Sequence, residues 1–356
     1  MKKVLFILMI IAFIFGMRHN EVREINPAPS NDDTAYEENA EENASLLNGS
    51  IKISAVGDCT LATDVNYGGS GSFVNEVSNQ SNDYTYFLKN VKDYFADDNL
   101  TIVNFEGTLS ENGSRANKQF AFRGKPEYVN ILTSASVEAA NLANNHTKDY
   151  GTVALDDTKQ TLTDNNIVNF EGTDVSFFEY DGIKVGLLGI NALNDVHRGL
   201  LDEAMEKVKA ENPNLIIVSF HWGIERATSP SAMQTELAHK AIDNGADLVI
   251  GHHPHVLQGI EKYNGKYILY SLGNFCFGGN KNSSDKDTMI FQQTFTFENG
   301  ELISDDNINI IPCSISSVRN RNNYQPTPLT GNEYERVKNK IVSYSSKLSD
   351  AELKFN

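Results

Sequence analysis

From residue 50 onward the chain repeats one pattern: a short apolar run, a polar signature, then a stretch with helical spacing. The apolar runs lie at 51–56, 100–103, 137–142, 185–190, 215–220 and 248–250. Such short, near-continuous runs predict strands buried on both faces. Helical spacing fills the gaps at 85–95, 126–133, 152–164, 200–209 and 232–244. Strand and helix in alternation predict an α/β architecture with largely parallel strands. After residue 258 the character changes. Two β-rich runs flank Asn264-Gly265, a hairpin turn signal, and two more (289–298 and 302–311) join at Asn299-Gly300. Residues 332–353 read as an amphipathic helix packed on the outside.

The N-terminal residues follow a different pattern. Met1-Lys2-Lys3 precedes an unbroken apolar run from Val4 to Phe15, the charged and hydrophobic regions of an export signal. No small-residue cleavage site follows and no cysteine is there to take a lipid. Residues 1–19 are therefore expected to be a signal peptide or a retained membrane anchor. Residues 20–49 carry Pro27, Pro29, Asp32, Asp33 and the pairs Glu37-Glu38 and Glu41-Glu42, with few large apolar residues. That composition predicts an acidic, disordered tether. A domain over 50–312 follows, with a C-terminal loop and helix (313–356) packed on it. The expected location is outside the cell membrane, anchored or secreted.

Apolar residues make up 40% of the 356 positions, enough for a substantial core. The formal charge of −17 excludes a nucleic-acid partner, which requires a basic face, and unaided docking on anionic lipid. Cys59, Cys276 and Cys313 allow at most one disulfide and read as small buried hydrophobes.

Potential metal ligands sit at the ends of the predicted strands: Asp58, Glu106, Asn145 with His146, His221, and the trio His252, His253 and His255. Each alone is weak, since an Asp after a strand is often a turn or helix cap. Together they place five of the chain's eight histidines at strand ends, where α/β proteins build their sites. A mixed carboxylate, imidazole and amide set suits Mn, Zn or Fe.

Gly57-Asp58, Asn104-Phe105-Glu106-Gly107, Asn144-Asn145-His146, His221-Trp222-Gly223-Ile224-Glu225, His253-Pro254-His255-Val256-Leu257-Gln258 and Ser271-Leu272-Gly273-Asn274-Phe275 occur in order. This series resembles the CapA-type capsule or poly-γ-glutamate biosynthesis proteins, a branch of the calcineurin-like metallophosphatase superfamily. The resemblance covers about residues 50–312. It implies a four-layer sandwich of two mixed β-sheets flanked by helices, and one or two divalent ions at the strand ends. Asp58 and His255 would serve a first ion, Glu106 would bridge, and Asn145, His221 and His253 would serve a second. His146 would assist the leaving group, oriented by Asp149, and His252 would be a neighbour of the site.

One departure stands out. The superfamily's first motif reads Asp-x-His, whereas this chain has Asp58-Cys59-Thr60, so the first ion loses an imidazole; Glu225 could compensate. Arg123, Glu225 and Asn274 are candidates for substrate contact, Arg123 as a bidentate donor to an anionic group. Trp222 is expected to be a core anchor, and His197 and His239 to have no chemical role. The implied activity is hydrolysis or transfer at an amide or phosphoester bond, serving an anionic capsule polymer such as poly-γ-glutamate beside membrane synthase subunits. The alternatives are a non-catalytic accessory subunit that binds polymer or partner, and a secreted phosphoesterase.

Overall fold

The computed structural model describes residues 47–355. The predicted export segment, and the tether up to residue 46, lie outside the described residues. Among the described residues, no helix is long and apolar enough to cross a membrane.

Two mixed sheets form the centre. The larger runs Thr327–Pro328, Glu301–Ser314, Asp287–Glu298, Gly49–Thr60, Leu100–Phe105, Ala139–Asn141, Val168–Phe170, and Asn274–Phe277 also pairs with Gly49–Thr60. The smaller runs Ile260–Tyr263, Lys266–Leu269, Leu248–His252, Leu215–His221, Ile183–Asn191, Ser176–Tyr180. The larger sheet is antiparallel from Thr327–Pro328 to Gly49–Thr60 and parallel from there to Val168–Phe170; the smaller is parallel in the middle with antiparallel strands at both edges.

Side-chain alternation explains the layering, because successive strand residues face opposite sides. Val185, Leu187, Leu215, Ile217, Leu248 and Ile250 face inward, packing with Ile51, Ile53, Leu100 and Ile102 of the larger sheet. Their neighbours Leu188, Ile190, Ile216, Val218 and Val249 face outward and meet helices Leu200–Ala210 and Ala232–Asp243. Val56, Val103, Phe105 and Ala140 face outward from the larger sheet and pack with Phe73, Leu132, Leu155 and Leu162. The result is helix, sheet, sheet, helix, as the resemblance implies. Buried Trp222 stacks on Phe220 and donates from its indole N–H to the Tyr270 carbonyl at 2.9 Å. It is a core anchor.

Several elements differ from the sequence pattern. Residues 85–95 do not form one helix: a short 3₁₀ turn at Tyr84–Tyr86 is capped by Asp83, and only Lys92–Ala96 is α-helical. Their apolar residues Phe87, Leu88, Val91 and Phe95 are nonetheless buried; the spacing reported burial rather than helix. Helix Phe73–Asn79, capped by the Ser72 hydroxyl, has no counterpart in the pattern. The last helix, Gly331–Ser345, ends before residue 353. The chain then continues extended, and Ile310 donates its backbone N–H to the Lys354 carbonyl.

All three cysteines are buried and free, and burial pushes the Cys59 thiol up to about 12.

A candidate metal centre at the joined strand ends

Alternation also places the polar groups. Asn104 and Glu106 follow inward-facing Leu100 and Ile102 at the end of their strand, and Asn141 follows inward-facing Ala139. His221 continues the inward series Leu215, Ile217, Ser219. Asp58 breaks the rule, since Ile51, Ile53 and Ala55 would make residue 57 the inward one. A register shift between Ala55 and Asp58 corrects this and leaves Cys59 in the outer core, as a bulge does. Gly57 lets the 271–274 turn come close: a Cβ there would lie 2.1 Å from the Gly273 carbonyl oxygen, and the Asp58 N–H donates to that oxygen at 2.9 Å.

The second sheet delivers the histidines through its loop after Leu248–His252. His253 and His255 both have positive φ, 94° and 58°, a conformation side-chain-bearing residues seldom adopt and one that clusters at functional sites. With Pro254 between them, the loop brings His255 Nδ1 to Asp58 Oδ2 and lays the His253 ring against His221.

The predicted residues gather. One atom each from Asp58, Glu106 and His221 lies within 4.8 Å of the others, and the same holds for Glu225, His253 and His255. The two groups are contiguous: His255 Nδ1 lies 3.0 Å from Asp58 Oδ2, and the His221 and His253 ring centres are 4.7 Å apart. Asn145 Oδ1 sits 2.9 Å from His221 Nε2, and Asn274 Oδ1 sits 2.9 Å from His255 Nδ1. Glu225 thus joins two histidines at the exposed side of the centre. His252 is buried beside Asp58, its Nδ1 3.3 Å from Asp58 Oδ1.

These groups fit a cation. Among the buried side-chain atoms lacking any hydrogen-bond partner are Thr60 Oγ1, Glu106 Oε2, both His252 ring nitrogens and His253 Nδ1. Unpaired buried polar atoms are costly; Glu106 Oε2 and His253 Nδ1 each belong to one of the two donor groups and have the chemistry of divalent-ion ligands. Burial, then the Asp58 charge, holds Glu106 well above the usual carboxylate range. Burial tends to raise Asp58, but His252 and His255 outweigh it and hold that carboxyl well below its usual value. Burial, then the His255 charge, pushes His253 down to about 4, so it is a neutral donor.

Beside this centre His146 Nδ1 lies 2.7 Å from Asp149 Oδ2, and its ring packs 4.5 Å from Phe122. Burial lowers the His146 pKa against the pull of Asp149. Asp149 also accepts from the Phe122 N–H at 2.6 Å and from Lys118 Nζ at 2.7 Å. A cleft of about 170 Å³ opens here, lined by His146, Glu225, His255 and Asn274 among others.

Arg123 is not brought to this cleft. It stacks on the Tyr150 ring at 4.0 Å, donates to the Asn112 carbonyl, and lines a separate groove with Thr63 and Lys125. Its strand Arg123–Gly124 pairs with Thr108–Leu109 in a separate two-stranded sheet. The cation that does line the cleft is Arg226. His239 pairs with Glu261 on the helical layer and stacks on Tyr263.

Three residues near the centre have no role in the sequence reading: Asn104, which stands in a quoted motif without one, Asn141 and Lys118. Asn104 donates to Asp58 Oδ1 at 2.9 Å and to Glu106 Oε1 at 3.3 Å, and accepts from Asn141 at 2.9 Å. Lys118, from a loop that reads as plain surface, reaches Asp149 and the Asn145 carbonyl.

A family profile described as bacterial capsule synthesis protein matches residues 52–279. The chain belongs to this family. It is one of the metallophosphatase-like families, and the matched span contains every candidate residue from Asp58 to Asn274. Over 275 residues the chain is 30% identical to the capsule biosynthesis protein CapA of Bacillus anthracis, covering 69% of this chain and 65% of that one. Over 235 residues it is 29% identical to the PGA biosynthesis protein CapA of Bacillus subtilis, covering 58% and 60%. It is also 26% identical over 276 residues to a Mycobacterium tuberculosis protein named a "probable polyglutamine synthesis accessory protein", covering 67% and 72%. The chain therefore spans less than two thirds of the two capsule relatives.

Proposed function

We propose that the protein is an extracytoplasmic, metal-dependent hydrolase or transferase in the synthesis, export or anchoring of an anionic capsule polymer, with poly-γ-glutamate as the chain it handles. One observation carries this reading: two contiguous sets of carboxylate and imidazole atoms converge at the ends of two sheets, with buried donors left unpaired around them. The names of the relatives supply the polymer, and the apolar run after Met1-Lys2-Lys3 supplies the location.

The resemblance pairs His255 with Asp58 and His253 with His221, whereas the donor distances group Asp58, Glu106 and His221, which would hold one ion, and Glu225, His253 and His255, which would hold a second, with Asn145 beside His221. When bound, a divalent ion (Mn, Zn or Fe) supplies Lewis acidity, polarising the scissile amide or phosphoester and acidifying water. His146 is held through Nδ1 by Asp149, which leaves Nε2 facing the reaction; once Nε2 has taken up a proton, the doubly protonated ring would give it to the leaving group. Asn274 fixes the His255 ring through Nδ1.

The test is turnover of γ-glutamyl polymer and of phosphoesters by the purified, ion-loaded chain. Wild-type turnover that falls about 10²–10⁴-fold in His146→Ala supports the enzyme. No turnover on either substrate with the ion bound overturns it.

A second reading, a non-catalytic accessory subunit, is favoured by Thr60 in place of the expected histidine. Polymer output that survives His146→Ala in cells would select it.

A further inference from the structure

Arg226 stands at the exposed side of the centre, one residue past Glu225. Among the described residues it is the one lysine or arginine that lines the cleft with His146, His255 and Asn274. Among the same residues its guanidinium has no hydrogen-bond, ion-pair or ring partner.

Its backbone is unusual as well. Arg226 has a φ of 63°, in the left-handed region that residues with side chains seldom adopt and that recurs at functional sites. Its N–H donates to the Pro254 carbonyl at 2.7 Å, which ties it to the loop between His253 and His255. The surrounding turn is pinned from beneath. Buried Gln258 donates to the Ala227 and Ser229 carbonyls at 2.9 and 3.1 Å, and accepts from Gln234 at 2.9 Å. Gln234 also closes a capping box with Ser231, and the Ala227 N–H donates to the Ile224 carbonyl at 3.1 Å. Polar bonds thus hold a strained backbone in place, and the side chain which that backbone carries to the cleft is a guanidinium. Such support for a presented group is what a preorganised binding site requires.

The neighbouring charges decide what that guanidinium takes. Glu225 belongs to the donor group with His253 and His255, so an ion bound there absorbs its charge. Asp285, the other carboxylate lining the cleft, is paired with Lys340 at 2.7 Å and accepts from the Asp287 N–H at 3.0 Å. Two divalent ions would outweigh the carboxylates of Asp58, Glu106 and Glu225, and Arg226 adds to the positive remainder. The mouth of the cleft is then cationic in a chain of formal charge −17. A guanidinium in that setting holds an anionic oxo group through two parallel N–H donors.

We propose that Arg226 is a substrate-binding residue, whose guanidinium grips an anionic oxo group of the substrate beside the metal centre. The proposal rests on the reading of that centre as acting on an anionic polymer, and there the group is the free carboxylate of a γ-glutamyl unit. A phosphate offers the same oxo chemistry, and the two sources separate by experiment.

The test is calorimetric titration of the full chain, loaded with Mn, in a His146→Ala background that stops turnover. The ligands are a γ-glutamyl oligomer, the same oligomer with its carboxylates amidated, and inorganic phosphate. Arg226→Gln should weaken the oligomer about tenfold and leave the amidated oligomer unchanged. Arg226→Lys, which keeps the charge but not the paired donors, should restore part of the loss. Weakening of phosphate alone would uphold the anion site and make its ligand a phosphoester. Oligomer and phosphate affinities that Arg226→Gln leaves unchanged overturn the proposal, as does equal weakening of the amidated oligomer or absence of binding at millimolar concentration. Loss of Mn from Arg226→Gln also overturns it, because the residue would then act through the metal loop. The titration reads no turnover, so the hydrolase reading stands or fails by its own assay.

Discussion

Asn104 holds Asp58 and Glu106 apart: its one side-chain amide donates to Asp58 Oδ1 at 2.9 Å and to Glu106 Oε1 at 3.3 Å. Two buried carboxylates this close repel, and the amide both separates them and satisfies one oxygen of each. Asn104→Ala should therefore cost about 1–3 kcal/mol, the penalty for stranding buried acceptors. It should also weaken metal binding roughly 10–100-fold, the range for groups that orient ligands. Urea unfolding and elemental analysis of the purified variant check both.

Addition of Mn or Zn should raise the unfolding midpoint of the wild-type chain, because only the folded state assembles the donors. At about 100-fold over Kd the gain is about 2.7 kcal/mol. In Asp58→Asn the gain should vanish. A thermal scan with and without ion reads this directly, and an ion-independent wild type would remove the metal centre.

Gly189 faces inward, where a Cβ would lie 2.1 Å from Asn141 Oδ1. Asn141 donates to the Asn104 oxygen at 2.9 Å, so a methyl group there disturbs the centre through two amides. Gly189→Ala should destabilise the chain by about 1–3 kcal/mol, as overpacking does, and lower metal occupancy in parallel. Unfolding and elemental analysis on the same preparation would show the two losses together.

A pH effect should arise far from the centre. Burial, outweighing the hydrogen bond from the Thr101 N–H, pushes Glu138 up to about 7. A carboxyl with a raised folded-state pKa holds its proton more tightly folded than unfolded. Its contribution is thus fullest below about pH 4.5 and is lost as pH rises to about 7. Glu138→Gln, which keeps an acceptor for Thr101, should flatten that decline. Because the side chain is partly exposed, the gain at pH 8 should be only about 1 kcal/mol. Denaturation midpoints from pH 4 to 8 for both proteins would test it.

The sequence carried the positions of the central strands and most of the site because a strand buried on both faces leaves an unmistakable apolar run, and the polar residues at its end mark where the strand meets the centre. Glu106, His221 and His253 are legible because each stands at, or within three residues of, the end of such a run. Asp58 was legible as a strand end, yet its inward aim depends on a register shift that no single-strand pattern encodes. The roles of Asn104, quoted in a motif, and of Asn141 were hidden because an asparagine in a buried strand carries no periodic signal, and its partners lie on other strands. Arg123 showed the reverse error: an arginine near a motif suggests an anion, but its strand turns it onto Tyr150. At 85–95, Phe87, Leu88, Val91 and Phe95 were rightly expected to be buried. The mistake was to infer a helix from them, since turns can bury the same side chains.

The centre draws Asp58 and Glu106 from one sheet and His221, His253 and His255 from the other. A cation at that position would act as a rivet through both plates of the sandwich at their shared rim. Stripping it should loosen that rim first, so amide hydrogen exchange near Asp58, Glu106 and His221 should quicken upon chelation while the hydrophobic interior around Ile53 and Ile217 keeps its protection.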